Sequence, residues 1–83
     1  MPMQSPMQID INQAPFPELE AVRASLGLSR ARLCWMIEQS PSTYQRWLKW
    51  SQGLPGGHCP RPASLRAVRR ALSDEIERRH RAA

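Results

Sequence analysis

Cysteine is scarce in this chain: Cys34 and Cys59 are the only two among 83 residues. Two cysteines cannot build a disulfide framework, and their spacing has no zinc pattern. Pairing His58 and Cys59 with Cys34 or His80 does not supply the closely spaced ligand pairs that zinc uses, so no metal is expected. Long hydrophobic runs are also missing. No stretch approaches the roughly 20 apolar residues needed to span a bilayer. The N-terminus lacks the basic, then apolar, then small-residue order of a secretory signal. A cytoplasmic protein without membrane contact is the expectation. Catalytic patterns are absent too. Nothing sets a nucleophile beside a base at a recognisable spacing, and the glycines at 53, 56 and 57 lack the Lys-Ser/Thr of a phosphate loop. Neither an enzyme, a cofactor nor a small-molecule substrate is expected.

What is present is positive charge, unevenly placed. The formal net charge is +5. Residues 1–22 hold Asp10, Glu18 and Glu20 and no basic residue. Residues 23–83 hold all twelve basic residues against four acidic ones, a surplus of eight. Eleven of the twelve are Arg, whose planar fork matches phosphate and guanine edges better than an ammonium does. At this length the chain makes one compact domain, marginal unless something supports it, and oligomerisation is a common support.

The pattern along the chain is helical. Residues 1–15 are rich in Met, Gln and Pro without a usable period, and they read as a flexible arm ahead of a domain over 16–83. Within the arm Ile9 and Ile11 alternate with Asp10 and Asn12, a weak signal for a short strand. A first helix starts near Pro17, with Glu18 and Glu20 at its positive end and Leu19, Val22 and Leu26 as its apolar stripe. Gly27 stops it. Ser29 caps a second helix that buries Leu33, Cys34 and Ile37 and ends before Pro41. Ser40 caps a third, with Pro41 at its first position and Tyr44, Trp47 and Leu48 facing inward. The glycine- and proline-rich stretch after Gln52 opens a flexible loop reaching about Pro62. Beyond it Leu65, Val68, Leu72 and Ile76 form an amphipathic seam. Ser73 followed by Asp74 and Glu75 leaves open whether residues 63–81 make one helix or two. The expected fold is all-α, a small bundle of four to five helices.

Residues 28–50 carry the functional expectation. Two short helices meet at a tight turn, with the small Cys34 at their crossing. The third helix presents Pro41, Ser42, Thr43, Gln45, Arg46 and Lys49 outward. Such a helix suits a DNA major groove. Gln45 can pair bidentately with adenine and Arg46 with guanine, while Ser42 and Thr43 suit base edges or phosphate. Ser29, Arg30, Arg32, Ser40, Lys49 and Arg61 are placed for phosphates.

The sequence resembles the Cro/phage-repressor (XRE-type) helix-turn-helix family over residues 19–72. The resemblance lies in Leu28 and Ser29, in Leu33 and Cys34, in the run Ser40-Pro41-Ser42-Thr43-Tyr44-Gln45-Arg46-Trp47, and in Gly53 and Pro55. It implies a lambda-repressor-like fold and a dimeric transcriptional repressor of a phage or mobile-element operon, acting on an inverted-repeat operator of double-stranded DNA. Small size and the helix start near Pro62 also resemble the anti-CRISPR-associated autorepressors. The family's turn holds glycine and then an apolar residue, where this chain has Glu38 and Gln39. A tighter or differently closed turn is expected for that reason.

Trp35 and Trp50 fall off the apolar stripes. Exposed tryptophan is costly unless covered, so both are expected in a homodimer interface, together with Leu72, Ile76 and His80 from the end of the C-terminal seam. Alternative readings are a helical or antitoxin-like protein-interaction module anchored by the tryptophans, and an RNA-binding adapter using the Arg-rich tail at 78–81.

Overall fold

The computed structural model describes residues 10–82. The chain folds as α1 (Phe16–Ser25), α2 (Arg30–Met36), α3 (Pro41–Ser51) and α4 (Pro62–Ala82), with no strand among the described residues. The protein is all-α. The C-terminal segment is one helix, because Val68, Leu72 and Glu75 continue a single buried stripe through Ser73 without a break.

Each helix starts and stops for a local reason. Proline opens α1, α3 and α4 within the first turn, where its missing N–H costs nothing. Ser29 Oγ accepts from the Arg32 backbone N–H at 3.0 Å and caps α2. Ser40 Oγ accepts from the Thr43 N–H at 3.2 Å and caps α3. The C-termini of α1, α2 and α3 share one device, in which the chain turns left-handed and two N–H groups fold back onto the last free carbonyls. After α1 these are Gly27 N–H to Ala24 O and Leu28 N–H to Arg23 O, at 3.0 and 3.2 Å. After α3 they are Gly53 N–H to Trp50 O and Leu54 N–H to Lys49 O, at 3.1 and 2.8 Å.

The core draws on all four helices. Leu19, Leu33, Val68 and Leu72 are completely buried. Phe16, Tyr44 and Trp47 form an aromatic trio, with centroids 5.3 to 5.9 Å apart and rings set edge-on or tilted. α1 and α2 each pack against both α3 and α4. Cys34 is buried at the packing of α2, as its small size suggests.

Three expectations change. The packed domain starts before residue 16: Ala14 is buried, its carbonyl accepts from Arg69 Nη2 at 2.9 Å, and Ile11 packs on the core. Ile11 sits in a turn closed by Gln13 N–H to Asp10 O at 3.0 Å, not in a strand. Residues 1–9 of the expected arm, Ile9 included, lie outside the described residues. The segment after α3 is also no loose loop. Pro60 is buried, His58 N–H donates to Arg46 O at 3.0 Å, and Gly57 lies directly on the α3 backbone at Trp50. Leu72 is the third correction. It is sealed inside the monomer and has no surface for a partner, because the middle of the α4 seam packs against α1.

Candidate nucleic-acid interface

The geometry of α2 and α3 rests on a half-buried carboxylate, Glu20, which the sequence reading placed only at the positive end of the first helix. Glu20 of α1 holds groups from three elements. Arg23 pairs with it at 2.7 Å along α1. Arg30, at the start of α2, forks onto it at 2.7 and 2.9 Å. The Tyr44 hydroxyl of α3 donates to it at 2.7 Å. Arg23 also donates to the Leu28 carbonyl, which fixes the approach to α2. Burial alone would raise the Glu20 pKa, but hydrogen bonds from Arg23, Tyr44 and Arg30 outweigh it and hold the carboxyl below its ordinary range. The same contacts work on Tyr44 in the opposite direction. Burial first, then the Glu20 carboxylate, pushes the phenol far up, so Tyr44 stays a neutral donor. The only local hint of this hub in the sequence is the i, i+3 spacing of Glu20 and Arg23.

The turn between α2 and α3 closes in the same way as the glycine-containing ends. Glu38 N–H meets Trp35 O at 3.3 Å and Gln39 N–H meets Cys34 O at 2.9 Å. Glu38 itself takes φ 58°, the left-handed conformation that favours glycine. The expected alternative closure is therefore not adopted. Glu38 accepts the strain instead, and Ser40 can then cap α3 two residues later.

This arrangement turns one face of α3 outward. Pro41, Ser42, Gln45 and Arg46 are exposed, and Thr43 and Lys49 are half-buried. The Thr43 hydroxyl lies 2.9 Å from Ser40 Oγ. Beside this face, Gln39, Thr43 and Arg46 line an open cleft of about 540 Å³ with His58, Arg61 and Ser64 from the loop and the start of α4. No acidic side chain lines that cleft. Among the described residues Arg46, Lys49 and Arg61 form no ion pair.

The other expected phosphate contacts have partners of their own. Arg30 is half-exposed but engaged with Glu20. Arg32 lies 4.4 Å from the centroid of the Trp35 ring. Ser29 and Ser40 use their oxygens as helix caps, and the Ser40 hydroxyl also shares a hydrogen bond with the Thr43 hydroxyl. The arginines of the tail are paired within α4, three of them against two carboxylates. Arg78 and Arg79 pair with Glu75, and Arg81 pairs with Glu77 at 2.7 Å. The hydrogen bond from Arg78 holds the Glu75 carboxyl below its ordinary range.

The remaining residues expected at a dimer interface do not share a surface. Trp35 stands 69% exposed at the mouth of a groove between α2 and α4, beside Ala67 and Ala71. Trp50, 44% exposed, lies instead beside Pro15, Phe16, Pro60 and Leu65. Ile76 follows Ala67 by nine residues and therefore points about half a turn away from it on α4. His80 is exposed one turn further on. Among the described residues no three His, Cys, Asp or Glu side chains cluster as a metal would need, and no helix is long and apolar enough to cross a membrane.

No protein family, curated protein or solved structure matches the chain.

Proposed function

We propose that the protein is a sequence-specific DNA-binding transcriptional regulator, a homodimeric repressor that lays α3 in the major groove of an inverted-repeat operator. The observation that carries this reading is the exposed face of α3, where Gln45 and Arg46 stand outward beside a cleft lined by basic and hydroxyl side chains and by no carboxylate. Gln45 and Arg46 have the reach and donor pattern for adenine and guanine edges, with Ser42 and Thr43 beside them. Lys49 and Arg61 flank this face with charge that no carboxylate in the described chain neutralises. Such a protein works where the DNA is, in the cytoplasm of its cell. The helix-turn-helix resemblance of residues 28–50 agrees with this assignment, and it implies a phage or mobile-element operon as the target.

A mobility-shift titration against the DNA upstream of its own gene tests the reading. Wild-type protein should shift a palindromic fragment in preference to scrambled duplex at moderate salt. Arg46→Glu, on an exposed position, should abolish the shift while circular dichroism stays unchanged. Equal retention of both duplexes, or an undiminished shift by Arg46→Glu, would rule the assignment out.

A further inference from the structure

We propose that two copies of this chain pair through the groove between α2 and α4, each inserting Trp35 against the α4 of the other. The inference deepens the dimeric part of the proposed function and rests on that part alone.

Trp35 is the most exposed of the large apolar side chains among the described residues, and Arg32 covers one face of its ring. An indole held this way is already ordered before any partner arrives, which lowers the entropy cost of docking it. The groove beside it has a small-residue floor. Ala67 is half-buried and Ala71 buried, so a helix or ring can come close to the α4 backbone. Met36 lines the opposite wall.

The rim identifies the occupant. Arg70 and Asp74, one turn apart on α4, both line the groove and are exposed. Neither forms an ion pair among the described residues, whereas Glu75 and Glu77 on the same helix are both held by arginines. The patch thus carries a knob and a hole, and an unpaired cation and anion. A two-fold axis through the groove, midway between Arg70 and Asp74, sets Arg70 of one copy against Asp74 of the other, and the reverse, so one docking event closes both pairs. In an isologous interface residue i meets j while j meets i, and this pattern satisfies that requirement with no other partner. The face bearing Ile76 points away and takes no part.

Sedimentation equilibrium of the full chain, without DNA, reads the assembly. Wild type should show a reversible monomer–dimer equilibrium. Asp74→Arg places Arg opposite Arg and should raise the dissociation constant at least about tenfold. The double swap Arg70→Asp with Asp74→Arg restores complementarity and should return it to within about threefold of wild type. Trp35→Ala should also weaken the dimer, and Ile76→Glu should leave it unchanged. Both swapped positions are exposed, and circular dichroism checks that each variant folds. A wild type that stays monomeric at every concentration overturns the proposal and leaves the groove to another occupant. So does a dimer indifferent to Asp74→Arg, or one that the double swap fails to rescue. Binding to a single operator half-site, measured separately, shows whether the DNA reading stands whatever the assembly result.

Discussion

Glu38 and Gly57 show how much a single backbone position matters in a domain of this size. Glu38 holds φ 58° to close the turn before α3, and a side chain in that region costs about 1–2 kcal/mol. Glycine would remove the strain but add disorder to the unfolded chain, an offset of roughly half that size. Glu38→Gly should therefore stabilise the protein by about 0.5–1 kcal/mol, seen as a higher urea midpoint at unchanged slope. A lower midpoint would mean that the carboxylate makes a contact worth more than the strain. Gly57 has the opposite sensitivity. A Cβ there would sit 2.2 Å from the Trp50 amide nitrogen and 2.5 Å from its Cα, and neither backbone atom can move without moving α3. Gly57→Ala should cost about 1–3 kcal/mol by overpacking. Retention of the wild-type melting temperature would show that this loop does not lie on α3.

At the scale of elements, Glu20 joins α1, α2 and α3 where apolar packing alone would leave their relative positions loosely specified. A carboxyl whose pKa is lowered in the folded state contributes stability above its unfolded pKa, ordinarily 4.5, and that contribution disappears as pH falls through the lower folded value. Glu20→Gln keeps the shape but leaves Arg23 and Arg30 without their counter-charge. Unfolding at pH 7 should become easier by about 1.5–3 kcal/mol, the range for charged hydrogen bonds. The gap between wild type and variant should narrow as pH falls from 4.5 towards the lower folded value, where the wild-type carboxyl also takes up its proton. Denaturant midpoints at pH 7 and pH 3 measure both. A gap that persists undiminished at pH 3 would assign the loss to packing instead.

Across the whole molecule, charge is sorted by what neutralises it. The arginines at the end of α4 are tied to Glu75 and Glu77, and Arg23 and Arg30 to Glu20. Arg46, Lys49 and Arg61 remain unpaired on the α3 side. The salt dependence of DNA binding should follow that partition rather than the total of twelve basic residues. Arg61→Ala should weaken binding to every duplex alike and reduce the slope of log K against log salt by about 1. Arg78→Ala should change the slope little. A larger loss with Arg78→Ala than with Arg61→Ala would move the nucleic-acid surface to the tail of α4.

The sequence by itself determined the first three helices and their ends. Ser29, Ser40, Pro41, Gly27 and Gly53 act through neighbours within a few residues, so their roles are legible without a tertiary structure. The outward set Ser42, Gln45 and Arg46 follows from the same local periodicity, since Tyr44, Trp47 and Leu48 must face the core. What depends on residues far apart in the chain was decided only by the fold. Glu20 reaches Tyr44 across 24 positions and Ala14 receives Arg69 across 55, and no periodicity reports either meeting. The charge balance had the same blind spot. Counting arginines could not say which would be neutralised, because that depends on which carboxylate each can reach. Nor could the α4 seam say where it passes from core to surface. Leu72 and Ile76 are one turn apart with the same chemistry, and packing against α1 buries one and leaves the other half a turn from the groove that Trp35 guards.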